Sequence, residues 1–342
     1  MLEEDFKMLT NQNLVDWTLF SGTCVLITGA NGFLPAYMAK TFLKLNTTLL
    51  SHSPCRVLAL VRNHKHAKEV FSSYLTDPHF TIITQDVSQE IVIPYVVDFI
   101  IHAASPASPK YYKNSPLSVI YPNVLGTINT LNLALKNPVK SFLYFSSGEV
   151  YGEYAGEIDE NAYGFVDPTS LRSCYAESKR MGENLCVSYG AEYGVPVKIV
   201  RPFHTYGPGM KLDDGRVFAD FVHSVVKGED IVLTSSGEAK RSFLYLCDAV
   251  FAYFLILTKG VNNEAYNVAN EQAVVSIKEL AQIVVGLFPE KNLSVRYAKA
   301  KDSYLASPIV SCDVKTDKIK ALGWNPTTSI AQGFTKTIRS YL

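Results

Sequence analysis

The 342-residue chain has the composition of a globular protein with a sizeable core, since 47% of its residues are hydrophobic and 19% are charged. Its 32 basic residues balance its 32 acidic ones, so no net field attracts nucleic acid or an anionic membrane. At roughly 100–200 residues per domain, this length fits one large domain or two unequal ones.

Neither a membrane anchor nor a secretory signal is expected. The longest apolar stretch, 249–258, is about half of the ~20 residues that a membrane-spanning helix needs. The opening segment MLEEDFKMLTNQ is acidic and polar, unlike a signal peptide. The six cysteines are scattered, without a C-x-x-C pair or a histidine at metal-ligand spacing. We therefore expect free thiols, no metal site and a cytoplasmic location.

A leading helix over Glu3 to Leu19, within an N-terminal extension of residues 1–20, is expected to serve packing. Beyond it, short apolar runs alternate with amphipathic stretches, as in strand–helix–strand units around a parallel sheet. The expected strands are 24–28, 56–61, 81–84, 99–103, 141–146 and 197–201. This order predicts an α/β fold, a Rossmann-type doubly wound parallel sheet.

The sequence pattern changes after Pro208, where MKLDDGRV is typical of a loop and no single periodicity continues. We therefore predict a first domain over 21–203 and a smaller C-terminal lobe over 204–342. The two are partly interleaved, with a cleft between them.

A glycine-containing turn follows the first predicted strand in CVLITGANGFLPAY. Glycines at this spacing allow a pyrophosphate to approach the backbone amides at a helix N-terminus. Pro35 replaces the third glycine of the usual pattern, which the first turn of a helix tolerates. An ordinary strand-to-helix turn would look the same. The expected cofactor contacts here are Gly29, Asn31, Gly32, Phe33 and Leu34.

The end of the second strand bears on the choice of dinucleotide. A site for NAD usually offers Asp or Glu to the ribose hydroxyl, but this chain reads LALVRNHKH. Because Arg62 suits a 2′-phosphate, we predict NADP(H), with NAD(H) as the alternative if a carboxylate comes from elsewhere. Asp86 and Val87 follow the third strand near the expected adenine position, and Asp86 is equally suited to a plain turn.

The candidate catalytic residues lie in two later segments. Tyr175 and Lys179 in RSCYAESKR are four apart, which places them on one face of a helix. A neighbouring ammonium lowers the pKa of a phenol and makes it a useful general acid or base. Upstream, SFLYFSS brings Ser147 to the carboxyl end of a strand, where a hydroxyl can bind a reacting carbonyl or alcohol.

With this motif order, the sequence resembles the extended short-chain dehydrogenases/reductases of the NAD-dependent epimerase/dehydratase family, which act on nucleoside diphosphate sugars. The resemblance covers roughly residues 24 to 330 and is closest to UDP-glucuronate decarboxylases. It is carried by HAASPASPKYY (102–112), SSGEVYGE (146–153), RSCYAESKR (172–180), RPFHTYGPGMKLDDGRVF (201–218) and KRSFLYLCDAV (240–250).

The resemblance implies that the first domain is a Rossmann-type dinucleotide-binding domain and that the C-terminal lobe binds the nucleotide sugar. It also implies transient or net hydride transfer at C4 of the sugar. Tyr175 would be the acid/base, Lys179 its partner and a ligand of the nicotinamide ribose, and Ser147 the hydroxyl on the C4 oxygen. The other implied contacts are His102, Ala103 and Ala104 at the cofactor, Arg241 at the diphosphate, Arg216, Val217 and Phe218 near the nucleotide, and His204 and Tyr206 at the substrate.

Some positions depart from the family pattern. Related dehydratases have Asp-Glu at positions 148 and 149, and decarboxylases have Ser-Glu. This chain has Gly148 and Glu149, so only the glutamate remains as a candidate catalytic residue. His204 stands where relatives usually have Asn. Arg62 favours NADP(H), the cofactor that a net reductase consumes, and Gly148 lacks the side chain that dehydratases and decarboxylases use. The leading hypothesis is therefore NAD(P)H-dependent reduction of a nucleoside diphosphate 4-keto-6-deoxy sugar.

The alternative is a UDP-glucuronate decarboxylase-like enzyme, favoured by motif similarity and Glu149, with a C4 epimerase ranking third. A regulatory protein with a vestigial site is disfavoured by intact Ser147, Tyr175 and Lys179. By resemblance, helices at 117–136 and 174–193 form a homodimer interface. Residues near Tyr111, Phe203 and Tyr304 are expected to set substrate choice.

Overall fold

A parallel β-sheet of seven strands forms the centre of the computed structural model, which describes residues 1–298 and 313–342. The described strands are β1 (Cys24–Thr28), β2 (Arg56–Val61), β3 (Phe80–Thr84), β4 (Phe99–His102), β5 (Ser141–Phe145), β6 (Val197–Pro202), β7 (His204–Tyr206), β8 (Ile231–Leu233), β9 (Lys240–Tyr245), β10 (Glu264–Val268), β11 (Val274–Ser276) and β12 (Val295–Tyr297).

The large sheet runs in the order β3, β2, β1, β4, β5, β6, β10, and all its pairs are parallel. Every residue of β1, β4 and β5 is buried, as expected of strands covered on both faces. The predicted Rossmann-type fold is confirmed, and the six predicted strands agree with β1 to β6 within one residue at each end.

Helices cover both faces of this sheet. Those described are α1 (Glu3–Asn11), α2 (Phe33–Asn46), α3 (His64–Val70), α4 (Lys110–Asn114), α5 (Pro116–Leu135), α6 (Cys174–Tyr193), α7 (Val217–Lys227), α8 (Leu246–Lys259), α9 (Ile277–Gly286), α10 (Asp317–Lys320) and α11 (Ile330–Arg339). Helices α5 and α6 pack side by side, and α8 is buried from Leu246 to Leu257. None of these helices is long and apolar enough to cross a bilayer.

Residues after 203 divide between two parts of the molecule. Strands β7, β9 and β11 form a small sheet, and β8 pairs with β12. By contrast, β10 completes the large sheet, and α8 packs against β5 and β6. The chain is therefore interleaved beyond this point, and a domain boundary at residue 203 stays a prediction.

The predicted N-terminal helix is shorter than expected. Helix α1 ends at Asn11, and a separate 3₁₀ turn over Trp17–Phe20 begins where the Asp16 carboxylate accepts a hydrogen bond from the Thr18 amide. The side chain of Asp5 is fully buried and anchors α1, since it accepts hydrogen bonds from two phenols, at 2.8 Å from Tyr37 and 2.9 Å from Tyr245.

The expectation of free cysteines agrees with the described residues, where Cys24, Cys55, Cys174, Cys186 and Cys247 are buried and unpaired. Within the same residues, no group of His, Cys, Asp and Glu side chains could hold a metal ion.

The close contact between α6 and β5 depends on a glycine. A Cβ atom at Gly182 would lie 2.0 Å from the Tyr144 phenol oxygen and 3.2 Å from the Asn123 carbonyl oxygen. Because Tyr144 is fully buried, it has little room to move. The absence of a side chain at Gly182 therefore allows the two elements to approach.

We expect Gly182→Ala to lower the free energy of unfolding by about 1–3 kcal/mol, the usual cost of overpacking. Gly286→Ala is the matched control, since Gly286 is also helical and its added methyl group would meet nothing within 4 Å. That control should be neutral or stabilising by up to about 1 kcal/mol. Chemical denaturation measures both variants, and equal stabilities would contradict the steric argument.

Candidate active site

A cleft of about 2040 Å³ lies at the carboxyl ends of the parallel strands. Its lining includes residues that follow six successive strands of the large sheet, together with residues of the small sheet and α7. Ligands of open α/β sheets bind at this edge. A volume above the roughly 300–1,000 Å³ of a typical small-molecule site leaves room for a dinucleotide and a second ligand.

The turn after β1 has the geometry of a phosphate cradle. Gly29 adopts a φ of +62°, and a Cβ atom there would lie 2.7 Å from the Cα atom of Ala104. Gly32 precedes α2, and no side chain caps the first turn of that helix. The amides of Phe33 and Leu34 are therefore left for a ligand. Asn31 lines the same part of the cleft.

The loop after β4 is held against the end of β1. The Thr28 hydroxyl oxygen accepts hydrogen bonds from the amides of Ala103 and Ala104, each at 3.2 Å. Both alanines line the cleft, and their contact with a cofactor stays a prediction.

His102 is a correction to the expected cofactor contacts. Its ring is buried, lies 2.8 Å from the Thr28 hydroxyl and 3.2 Å from the Thr127 hydroxyl, and does not line the cleft. His102 is the last residue of β4, and its side chain points toward Thr127 on α5 rather than into the cleft. The sequence pattern did not indicate this direction. Its action on a cofactor would be indirect, through Thr28.

The far end of the cleft contains the residues that bear on dinucleotide choice. Arg62 is exposed there, and Asp86 and Val87 line the neighbouring wall. One Asp86 carboxylate oxygen accepts hydrogen bonds from the Ser88 amide and hydroxyl, at 2.9 and 2.7 Å. Burial raises the pKa of Asp86, but the Ser88 hydrogen bonds and Arg62 outweigh burial and lower it. Asp86 therefore acts as a turn residue as well as a cleft residue.

The predicted pair on α6 lies deep in the cleft. Tyr175 and Lys179 are 6% and 3% exposed, and the Lys179 ammonium donates a 2.6 Å hydrogen bond to the Phe145 carbonyl. Burial lowers the pKa of Lys179 to about 7 and raises the pKa of Tyr175 to about 12. The phenol pKa is therefore raised rather than lowered as expected, because burial is the largest effect on it.

Ser147 and Glu149 follow β5 and face the same space. The Ser147 hydroxyl accepts a hydrogen bond from the Glu149 amide at 3.2 Å and forms one with Tyr175 that lowers the phenol pKa against burial. The Glu149 carboxylate accepts two hydrogen bonds from the Arg172 guanidinium, both at 2.9 Å. Glu149 is thus paired rather than free.

Gly148 lies between these two residues, and the ring of Phe203 fills the space beside it. A Cβ atom at Gly148 would lie 2.8 Å from the nearest ring carbon. Phe203 is 9% exposed and stacks on Tyr151, with ring centroids 6.2 Å apart. A serine at position 148 would require this ring to move.

The opposite wall contains the predicted substrate residues. Arg216, Val217, Phe218 and Arg241 line the cleft, as do His204 and Tyr111. Burial lowers the pKa of His204 to about 3, so its ring is neutral, and its Nδ1 atom has no hydrogen-bond partner among the described residues. Arg216 pairs with Asp214. Tyr304 lies outside the described residues.

Tyr206 is the second correction. Its side chain is buried, stacks on Phe334 at a centroid distance of 3.9 Å and donates a hydrogen bond to the Ile330 carbonyl. It lies outside the cleft lining. His204 and Thr205, the two residues of β7 before it, do line the cleft.

Two residues at the site carried no role in the sequence analysis. Arg172 lies in the turn before α6, three positions ahead of Tyr175, and Tyr112 stacks on the Tyr175 ring. Both fall inside segments that carry the family resemblance, which was the available signal. Their contacts depend on tertiary packing that spacing does not reveal.

Comparisons with known proteins agree with this fold and cleft. The model of the NAD dependent epimerase/dehydratase family matches residues 25–269. UDP-glucuronic acid decarboxylase 6 of Arabidopsis thaliana is 32% identical over 311 residues, covering 90% of this chain and 86% of that protein. UDP-glucuronic acid decarboxylase 1 of Xenopus tropicalis is 31% identical over 320 residues, covering 93% and 72%.

Solved structures share the fold at lower identity. UDP-glucose 4-epimerase from Thermotoga maritima, solved with UDP-glucose, has a TM-score of 0.78 at 20% identity and covers 93% of this chain and 98% of its own. dTDP-glucose 4,6-dehydratase from Bacillus anthracis, solved with NAD, has a TM-score of 0.74 at 20% identity, covering 93% and 96%. By the family match and the identity to its relatives, the chain belongs to the NAD-dependent epimerase/dehydratase family.

Proposed function

We propose that this protein transfers a hydride at C4 of a nucleoside diphosphate sugar, and that decarboxylation of UDP-glucuronate is its leading reaction. The observation that carries the proposal is the convergence of Ser147, Tyr175 and Lys179 on the cleft that also contains the glycine turn. The decarboxylases related to this chain over 90% of its length support the choice of reaction. They favour it over net reduction, which the sequence ranked first.

The residues present fit a nicotinamide dinucleotide. Gly29 and Gly32 leave room that side chains would fill, and the first turn of α2 offers uncapped amides to a pyrophosphate. We assign Lys179, which lines the cleft, to the nicotinamide ribose. When bound, the nicotinamide accepts a hydride from C4 of the sugar and can return it.

The decarboxylation follows from proton movements at Tyr175. As phenolate, Tyr175 takes the proton of the C4 hydroxyl while Ser147 holds the same oxygen, and C4 becomes a ketone on losing its hydride. The C5 carboxylate is then β to a carbonyl, so the C5–C6 bond breaks, carbon dioxide leaves and its electron pair forms an enolate. A proton supplied by water adds to C5 of the enolate and restores the C4 ketone. Tyr175 finally returns its proton to the C4 oxygen as the ketone is reduced.

The substrate is held from the opposite wall. We assign Arg241 to the diphosphate, because a guanidinium binds phosphate oxygens in a bidentate manner. Arg216 and Val217 border the nucleotide, and the neutral His204 ring offers its unpartnered Nδ1 atom to a sugar or phosphate group.

The second candidate is net reduction of a 4-keto-6-deoxy sugar with NADPH. It is favoured by Gly148, where decarboxylases have a serine and Phe203 now fills the space. The exposed Arg62 at the cleft, which suits a 2′-phosphate, points the same way. In this reaction Tyr175 only donates a proton.

Turnover assays separate the two candidates. We expect purified protein with NAD to release carbon dioxide from UDP-glucuronate, and Tyr175→Phe to lower that rate by about 10²–10⁴-fold, the usual contribution of a general acid/base. Tyr206→Phe is the matched control and should stay within a few-fold of wild type. NADPH oxidation with a 4-keto-6-deoxy sugar and no carbon dioxide release would establish the second candidate instead.

Cofactor preference gives a separate prediction. If Arg62 binds a 2′-phosphate, Arg62→Asp should weaken NADPH binding by at least about tenfold and leave NADH binding nearly unchanged. Lys68→Asp, at an exposed position on α3 outside the cleft lining, controls for the change in surface charge. Fluorescence titration measures both cofactors, and an equal loss for NADH would contradict a role in cofactor choice.

We also propose a cytoplasmic homodimer built on α5 and α6. The buried free cysteines suit a reducing compartment. Leu117, Tyr121 and Leu125 recur every four residues on α5 and are 55%, 46% and 42% exposed, and Met181 on the adjacent α6 is 49% exposed. Such an apolar stripe is typical of a surface that is covered by another helix pair.

Leu125→Glu is therefore expected to convert a dimer into a monomer, because an unpaired charge would be buried at the interface. Leu75→Glu, at a similarly exposed leucine outside α5 and α6, should leave the mass unchanged. Sedimentation velocity measures the mass of the wild-type protein and of both variants. A monomeric wild type would overturn the proposal.

A further inference from the structure

Arg172 lies at the site and forms an ion pair with Glu149, while its Nε atom has no hydrogen-bond partner among the described residues. Its two terminal nitrogens each donate a 2.9 Å hydrogen bond to a different oxygen of Glu149. The two side chains are only 18% and 16% exposed. A bidentate pair of this kind is strong and fixes the plane of the guanidinium.

An aromatic ring lies between the same guanidinium and the phenol of Tyr175. It lies 4.8 Å from the centroid of the Tyr112 ring. The Tyr112 ring stacks on the Tyr175 ring at a centroid distance of 5.1 Å and an interplanar angle of 16°. The Tyr112 hydroxyl is anchored by a 3.0 Å hydrogen bond to the Ala107 carbonyl. Glu149, Arg172, Tyr112 and Tyr175 therefore form one continuous row.

The charges in this row act on Tyr175 in opposite directions. Burial raises its pKa most, and the Glu149 carboxylate raises it further, while Arg172 is among the groups that lower it. The titratable and charged groups around the phenol come from every neighbouring element: Tyr112 from α4, Tyr144 from β5, Glu149 after β5, Arg172 before α6, Lys179 on α6 and Arg216 before α7.

We propose that Arg172 is a positioning residue that sets the proton affinity of Tyr175, by compensating the charge of Glu149 and holding Tyr112 against the phenol. Without Arg172, a carboxylate would remain in a poorly solvated site next to the group that must become negative. Coulombic repulsion is strong in such surroundings. The ion pair between Glu149 and Arg172 thus lets the site keep the Glu149 carboxylate without suppressing formation of the Tyr175 phenolate.

The proposal rests on the proposed acid/base role of Tyr175, but its test needs no substrate. Replacing Tyr175 with 3,5-difluorotyrosine brings the phenol pKa into a range where the protein is folded, and ¹⁹F NMR then reports that one tyrosine among 20. The titration is done on the full chain with NAD bound. It is repeated in Arg172→Gln, Glu149→Gln and the double variant.

The signs of the expected shifts follow from the charges. Arg172→Gln removes a cation and exposes Glu149, so the midpoint should rise by about one unit, a tenfold loss of phenolate at fixed pH. Glu149→Gln removes an anion, so the midpoint should fall. The double variant removes both charges and should return close to the wild-type value. A merely structural role would not give opposite shifts that cancel.

Arg180→Gln is the matched control, since Arg180 supports the same loop through the Val150 and Gly164 carbonyls and does not touch Glu149. It should leave the midpoint unchanged. Shifts of the same sign in both single variants, or an unshifted midpoint in folded Arg172→Gln, would overturn the proposal. Absence of turnover on any sugar nucleotide would instead count against the proposed function and leave this titration valid.

Discussion

The burial of the Lys179 ammonium is the constraint on which the rest of the site depends. Its hydrogen bond to the Phe145 carbonyl connects α6 to the last residue of β5, and its charge lies 5.1 Å from the Tyr144 ring. An ammonium with so little access to water needs such partners. Because the ammonium is held at the end of β5, Tyr175 one turn earlier is brought to Ser147.

One turn further along α6, Glu183 extends this connection toward the C-terminal part of the chain. It accepts a short hydrogen bond from Ser146 and a bidentate pair from Arg201, at 2.9 and 2.7 Å. Arg201 donates to the Tyr151 phenol, which donates to Asn267 on β10. The ends of β5, β6 and β10 are thereby held in register, and the strand that leads into Phe203 and His204 is fixed relative to Tyr175.

The sequence predicted the layers of this molecule better than its side-chain directions. Buried strands such as β1 and β5 are recognisable because both faces are apolar, and the glycine turn and the tyrosine–lysine spacing have a local cause. His102 and Tyr206 were misplaced because their partners come from distant parts of the chain, Thr127 on α5 for His102 and Phe334 on α11 for Tyr206. The expectation for the Tyr175 pKa failed for another reason. Spacing shows that Lys179 is near, but not that both groups are desolvated.

The two candidate reactions place different demands on Tyr175. Reduction of a ketone needs a neutral phenol that can donate its proton, which is the form that burial favours here. Oxidation of an alcohol, the first step of a decarboxylation cycle, needs the phenolate and therefore nearby positive charge. A cation bound beside the phenol would supply part of this positive charge. The rest depends on whether the charge of Glu149 is compensated, so the proposed role of Arg172 matters most for the oxidative direction of the reaction.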